Sequence, residues 1–125
     1  FANGVSLKGG YVIFIKDNAS LKSNIRIDKC VFQDSIGIEN SCKIKKSDVY
    51  FKRKNSEILI DEIKKDLPSD KVLTYDMLEN MCSNSYCDYK NQDGELVMQD
   101  ANHISFNESL RQAKEFKKFI RKLIK

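Results

Sequence analysis

Tyr11-Val12-Ile13-Phe14-Ile15 forms an uninterrupted apolar run behind Gly9-Gly10. Its length and its β-branched and aromatic content predict a strand buried on both faces, as in a parallel sheet. Lys16-Asp17-Asn18 then turns the chain outward at the strand's C-terminal end. From Ser20 to Asp48 the pattern is irregular and polar, which predicts a long loop that carries Cys30 and Cys42. A loop of that length in a compact domain is functional or stapled. Tyr50 to Leu67 reads as helix: Leu59, Ile60, Ile63 and Leu67 share one face, charges fill the other, and Pro68 stops it.

Lys71-Val72-Leu73-Thr74-Tyr75 predicts a second short strand, and Asp76 to Met81 a helical turn. Cys82 to Cys87 reads as a polar loop, Asn91 to Gly94 as a turn, and Leu96-Val97-Met98 as a short extended stretch. Ser105-Phe106-Asn107-Glu108 matches a capping box, with Ser105 as N-cap and Glu108 three residues on. It opens a last helix whose buried stripe is expected at Leu110, Ala113, Phe116, Ile120 and Leu123. The order strand, helix, strand, loop, helix predicts an α/β fold, part of a three-layer α/β/α domain with parallel strands. No internal repeat or low-complexity tract interrupts it.

The 125 residues have room for one domain, spanning residues 1–125. A hydrophobic share of 41% with 32% charged residues fits a globular chain, and no run approaches the ~20 apolar residues of a membrane-spanning helix. No signal peptide is visible, and the start at Phe1-Ala2-Asn3 without methionine suggests a processed or excised piece of something longer. The net charge of +4 is uneven. From Arg111 to Lys125 there are seven cations against the single Glu115, so the rest of the chain is slightly acidic. A basic last helix can contact phosphate or anionic lipid, but the aromatic interleaving of a single-strand binder is absent. The cations read as a solvated face suited to the helix C-terminus, and nucleic acid is not an expected partner.

The four cysteines fall into two close pairs, Cys30 with Cys42 and Cys82 with Cys87. Neither a Cys-x-x-Cys redox motif nor the paired short spacings of a zinc knuckle occurs, so no metal is expected. Two local disulfides in an oxidising compartment account for the even count, and free buried cysteines in a cytosolic protein are the competing reading.

His103 is the one histidine, and it follows Asp100 by three residues in Asp100-Ala101-Asn102-His103-Ile104-Ser105. A hydrolase or acyltransferase with a serine nucleophile needs an imidazole base and a carboxylate to orient it. An Asp-x-x-His turn before a helix can hold both at one end of a sheet.

The succession of strand, cysteine-bearing loop, helix, strand Val72–Tyr75 followed by Asp76, Cys82…Cys87, Gly94-Glu95-Leu96-Val97 and Asp100-x-x-His103-Ile104-Ser105 resembles a known family. It is similar to the C-terminal half of the SGNH hydrolase-like domains fused behind membrane acyltransferase-3 domains in bacterial surface-polysaccharide O-acyltransferases. The resemblance runs from Tyr11 to Ile124 and is most specific over Asp100 to Ser105. It implies a flavodoxin-like SGNH domain in which His103 is the catalytic base and Asp100 its orienting carboxylate. Ile104 stands where that pattern has leucine, and Glu108 where glycine is common.

The resemblance further implies an acyl donor and a glycan acceptor as partners, no cofactor, and a place on the periplasmic, extracytoplasmic face of the bacterial inner membrane. Such a domain begins with a Gly-Asp-Ser nucleophile block, and none occurs here. His and Asp without a nucleophile and oxyanion donors do not run acyl transfer alone. The missing serine is expected from an upstream SGNH half, itself behind an N-terminal membrane acyltransferase domain. The competing class is a degenerate, non-catalytic binding or scaffold domain in which Asp100–His103 is a structural hydrogen bond.

Overall fold

The computed structural model of the chain describes residues 4, 8–21, 24–39 and 42–123. Phe1-Ala2-Asn3, the resemblance's end at Ile124 and the last cation Lys125 lie outside them.

The apolar run forms β1 (Val12–Lys16), which pairs in parallel with β3 (Val72–Asp76), from Val12 opposite Val72 to Lys16 opposite Asp76. Both predicted strands are therefore present, and their pairing is the expected one. Burial on both faces is not. Val12, Ile13 and Phe14 are half-buried and Ile15 is 54% exposed, because β3 is the one strand that pairs with β1 among the described residues. The chain is thus mixed α/β with a small parallel sheet, and two strands do not make up a full three-layer flavodoxin-like domain.

The stretch from Ser20 to Asp48, expected as irregular loop, holds a helix, α1 (Ile27–Ser35). Ile27 and Cys30 are its buried residues, and Asp28 suits the positive N-terminal end. The helix ends on a Schellman motif: the Gly37 N–H donates to Asp34 O (3.1 Å) and the Ile38 N–H to Gln33 O (2.9 Å). Gly37 takes φ +70°, a left-handed conformation open to glycine at little cost. That glycine was a readable stop signal, but one turn of apolar spacing was too short to show the helix before it.

Two further residues, Ile44–Lys45 (β2), pair antiparallel with Tyr86–Cys87 (β4) inside the predicted Cys82–Cys87 loop. The long helix α2 runs Lys46–Lys65, four residues ahead of the expected start, and Pro68 follows its end. Its buried positions are Val49 and Arg53, whereas Leu59 (61% exposed) and Ile63 (39%) of the predicted stripe face outward. Ile60 is half-buried, and Leu67 is buried just beyond the helix. Leu78–Met81 is the short α3 expected after β3; the Leu78 N–H donates to Asp76 Oδ1 at 3.0 Å, and Leu78 is fully buried.

The last helix, α4 (Phe106–Leu123), begins where predicted. Half of the capping box forms: Ser105 Oγ accepts the Glu108 N–H at 3.1 Å. The Glu108 carboxylate turns instead to Arg111 (2.7 and 2.8 Å) and Gln112 (2.7 Å), and the Ser105 N–H goes to Val97 O. The inward face carries Glu108 and Gln112 with Phe116 and Phe119, while Leu110 and Ala113 of the expected stripe are exposed. Tyr75 of β3 anchors this face, with its ring 5.0 Å from Phe116 and 5.2 Å from Phe119.

The main core lies beside the sheet rather than within it. Leu21, Ile27, Ile44, Val49, Leu78, Tyr89, Val97 and Met98 cluster with Cys30, Cys42 and Cys87, and Cys82 packs against them. Disulfides join Cys30 to Cys42 (Cα–Cα 6.2 Å) and Cys82 to Cys87 (4.3 Å), the pairs the spacing predicted. Such crosslinks suit a chain that has little area to bury. Tyr89 adds a polar tie, since its hydroxyl donates to Asp34, which also pairs with Lys90.

Candidate active site

Asp100 builds its own turn. Its Oδ1 accepts the Asn102 N–H at 2.9 Å and the His103 N–H at 2.8 Å, an Asx arrangement that folds four residues tightly. The Gln99 N–H closes the other side by donating to His103 O at 2.8 Å, and Met98 bridges Ile104 just beyond. The chain reversal brings the imidazole back over the carboxylate. His103 Nδ1 lies 2.8 Å from Asp100 Oδ2 and 3.0 Å from Oδ1. Both sequence-predicted site residues are thus in direct contact.

The Asn102 N–H, the His103 ring and the His103 N–H together hold the Asp100 carboxyl at about 2, well below the usual carboxylate range. Asp100 is therefore ionised at neutral pH. An ionised carboxylate on Nδ1 selects the tautomer with its proton there, which leaves Nε2 as the basic nitrogen. Among the described residues Asp100 is the side chain that bonds the ring, and no serine, threonine or cysteine side chain does so.

The turn lies against the loop that leaves β1. Leu21 N–H donates to Ala101 O at 2.7 Å, and Asn18 Nδ2 to Asn102 O at 3.0 Å. The dyad therefore stands outside the carboxyl end of β1, the position at which parallel α/β sheets place their ligands. It is open to solvent: the His103 side chain is 72% exposed and that of Asp100 51%. Two surface hollows lie elsewhere, one beside Cys30–Cys42 with Arg26, Lys29 and Gln33, the other at Lys46, Tyr50 and Tyr86.

Sequence reasoning missed a charged cluster under the same end of the sheet. Arg53 is 5% exposed and forks onto Asp76, Nη1 to Oδ1 at 3.0 Å and Nη2 to Oδ2 at 2.6 Å. Nη1 also donates to Asp17 O at 2.9 Å, and Nη2 to Glu57 Oε1 at 2.9 Å, which Lys16 shares at 2.9 Å. Burial acts to raise the Asp76 carboxyl, but the Arg53 hydrogen bonds and the Leu78 N–H outweigh it and hold it below its ordinary value. Hydrogen bonding from Lys16 lowers Glu57. One hint was available: Arg53 follows Val49 by four residues on the same helix face.

All four predicted cysteines are in disulfides, so none is a nucleophile or metal ligand. No group of three or more His, Cys, Asp or Glu side chains suited to a metal ion occurs among the described residues. No helix among them is long and apolar enough to cross a membrane. The two disulfides suit an oxidising, extracytoplasmic environment. No protein-family model, curated protein or solved structure matches the chain.

Proposed function

We propose that this chain is the C-terminal catalytic half of an SGNH-type O-acyltransferase or carbohydrate esterase domain. It acts on an envelope glycan at the extracytoplasmic face of the bacterial inner membrane. The observation that carries the reading is the Asp100 carboxylate 2.8 Å from His103 Nδ1, with the ring displayed at the end of a parallel strand. That is the base-and-orienter part of a serine triad. The disulfides support the compartment.

The serine and the oxyanion donors come from the upstream half, which also walls the exposed imidazole. As the serine oxygen attacks the acyl ester carbonyl, His103 Nε2 takes its proton and passes it to the departing oxygen of the donor. In the second half-reaction Nε2 takes the proton of a sugar hydroxyl, whose oxygen attacks the acyl-serine; the proton returns to the serine as the new ester forms. Water replaces the sugar in an esterase. Asp100 keeps the tautomer and stabilises the imidazolium. The acyl group is acetyl in this reading, and no cofactor takes part.

A second reading has an observation of its own. Asp100 Oδ1 accepts two backbone N–H groups, so the aspartate has a structural task without any chemistry, as in a non-catalytic scaffold domain. Glycan acetylation and p-nitrophenyl acetate hydrolysis by the complete protein separate the two. The catalytic reading expects His103→Ala to abolish both and Asp100→Asn to slow them by roughly 10²–10⁴-fold. Unchanged rates in His103→Ala would leave the scaffold reading standing.

A further inference from the structure

We propose that Asn18 is a positioning residue for His103, holding the Asp100–His103 turn from the loop after β1, and that Arg53 anchors that loop from below. The proposal rests on the catalytic reading for its consequence but not for its geometry. Asn18 Nδ2 lies 3.0 Å from Asn102 O and 3.2 Å from Ala19 O. Two carbonyls facing one atom identify it as the amide nitrogen, because an oxygen there would meet two acceptors. One side chain therefore spans the β1 exit loop and the residue next to His103.

The Asn18 backbone is fixed in turn. Its N–H donates to Asp17 Oδ1 at 2.9 Å, and Asp17 O accepts Arg53 Nη1 at 2.9 Å. Arg53 is itself clamped by Asp76 and Glu57. A continuous path of hydrogen bonds thus runs from the carboxyl end of β3, through a buried guanidinium and the β1 exit, to the peptide adjoining the imidazole. A second tie, Leu21 N–H to Ala101 O at 2.7 Å, is between backbone groups and does not involve the Asn18 side chain. Loss of the amide should loosen the turn without undocking it.

A loosened turn weakens the Asx bonds and the contact of the carboxylate with Nδ1 together. Asp100 is held low by the Asn102 and His103 N–H groups and by the His103 ring, so its carboxyl should drift up as those bonds loosen. His103 is the titratable side chain facing it.

The test compares the unaltered chain with Asn18→Ala and Asn18→Asp by NMR. Amide exchange at Asn102 and His103 should quicken by roughly three- to ten-fold in Asn18→Ala, the worth of one hydrogen bond. It should quicken further in Asn18→Asp, whose carboxylate faces a carbonyl. The Asp100 carboxyl should titrate above its native value of about 2, while exchange at Leu78 and Cys30 in the core stays unchanged. A merely structural role would move the core amides along with the turn. Native exchange and native Asp100 titration in Asn18→Ala would overturn the proposal. In the complete protein kcat should fall with KM unchanged. A kcat unaffected by Asn18→Ala while His103→Ala is dead would refute positioning and spare the catalytic reading.

Discussion

Replacing Asp76 by asparagine tests whether the Arg53 cluster holds the carboxyl end of the sheet together. The substitution keeps the size of the side chain and removes its charge, leaving a guanidinium that is 5% exposed without its main counter-ion. Removing one partner of a buried ion pair costs ~3–5 kcal/mol, largely because the remaining charge stays out of water. Here two features soften the loss. Glu57 still accepts Arg53 Nη2 at 2.9 Å, and the new carbonyl oxygen can keep the bond from Leu78 N–H. We therefore expect about 2–3 kcal/mol in urea unfolding at pH 7 with an unchanged m-value, a drop in Tm of roughly 10 °C.

Glu62→Gln is the control, because its pair with Lys65 has side chains 60% and 67% exposed and should contribute under ~0.5 kcal/mol. The pH dependence has a definite sign. The folded carboxyl of Asp76 is lowered, so its contribution is present above the unfolded value of about 3.9 and is lost as pH falls through the folded value. The two proteins should thus converge in stability as pH drops below about 4. If Asp76→Asn costs no more than Glu62→Gln at pH 7, the cluster is not the clamp described.

The remaining expectations are simpler. Thiol titration of the denatured, non-reduced chain should find no free cysteine, and opening Cys30–Cys42 by paired serine substitution should cost ~3 kcal/mol, against ~2 for Cys82–Cys87 with its shorter loop. Ser105→Ala removes the cap on the Glu108 N–H and should lower urea stability by about 1 kcal/mol. The Asp100 carboxyl should titrate at about 2 by NMR; its stabilising effect is present above the unfolded value and disappears as pH falls through about 2, and, being exposed, Asp100→Asn should leave Tm at pH 7 almost unchanged.

The features readable along the chain are those whose causes are local. Four of five consecutive apolar residues, Val12 to Ile15, go into β1, Pro68 marks where α2 has stopped, and Ser105 caps α4 because a hydroxyl three residues ahead of an N–H is a matter of backbone geometry. The dyad belongs to the same class, since Asp100 reaches the N–H groups and ring only two and three residues away. The cysteine pairs were legible because short loops close easily. Tertiary structure decided which faces those elements bury. A helix with Leu59 and Ile63 on one side and Arg53 on another gives no local reason to turn Arg53 inward. That reason is Asp76 at the end of a strand more than twenty residues away, together with the Asp17 carbonyl at the end of another. Glu108 likewise points inward to Gln112 and Arg111 while Leu110 faces solvent. Sequence alone set the Asp100–His103 contact, whereas its place above the exit of β1 depends on hydrogen bonds from Asn18 and Leu21, about eighty residues upstream, and so on the tertiary fold that brings the two segments together.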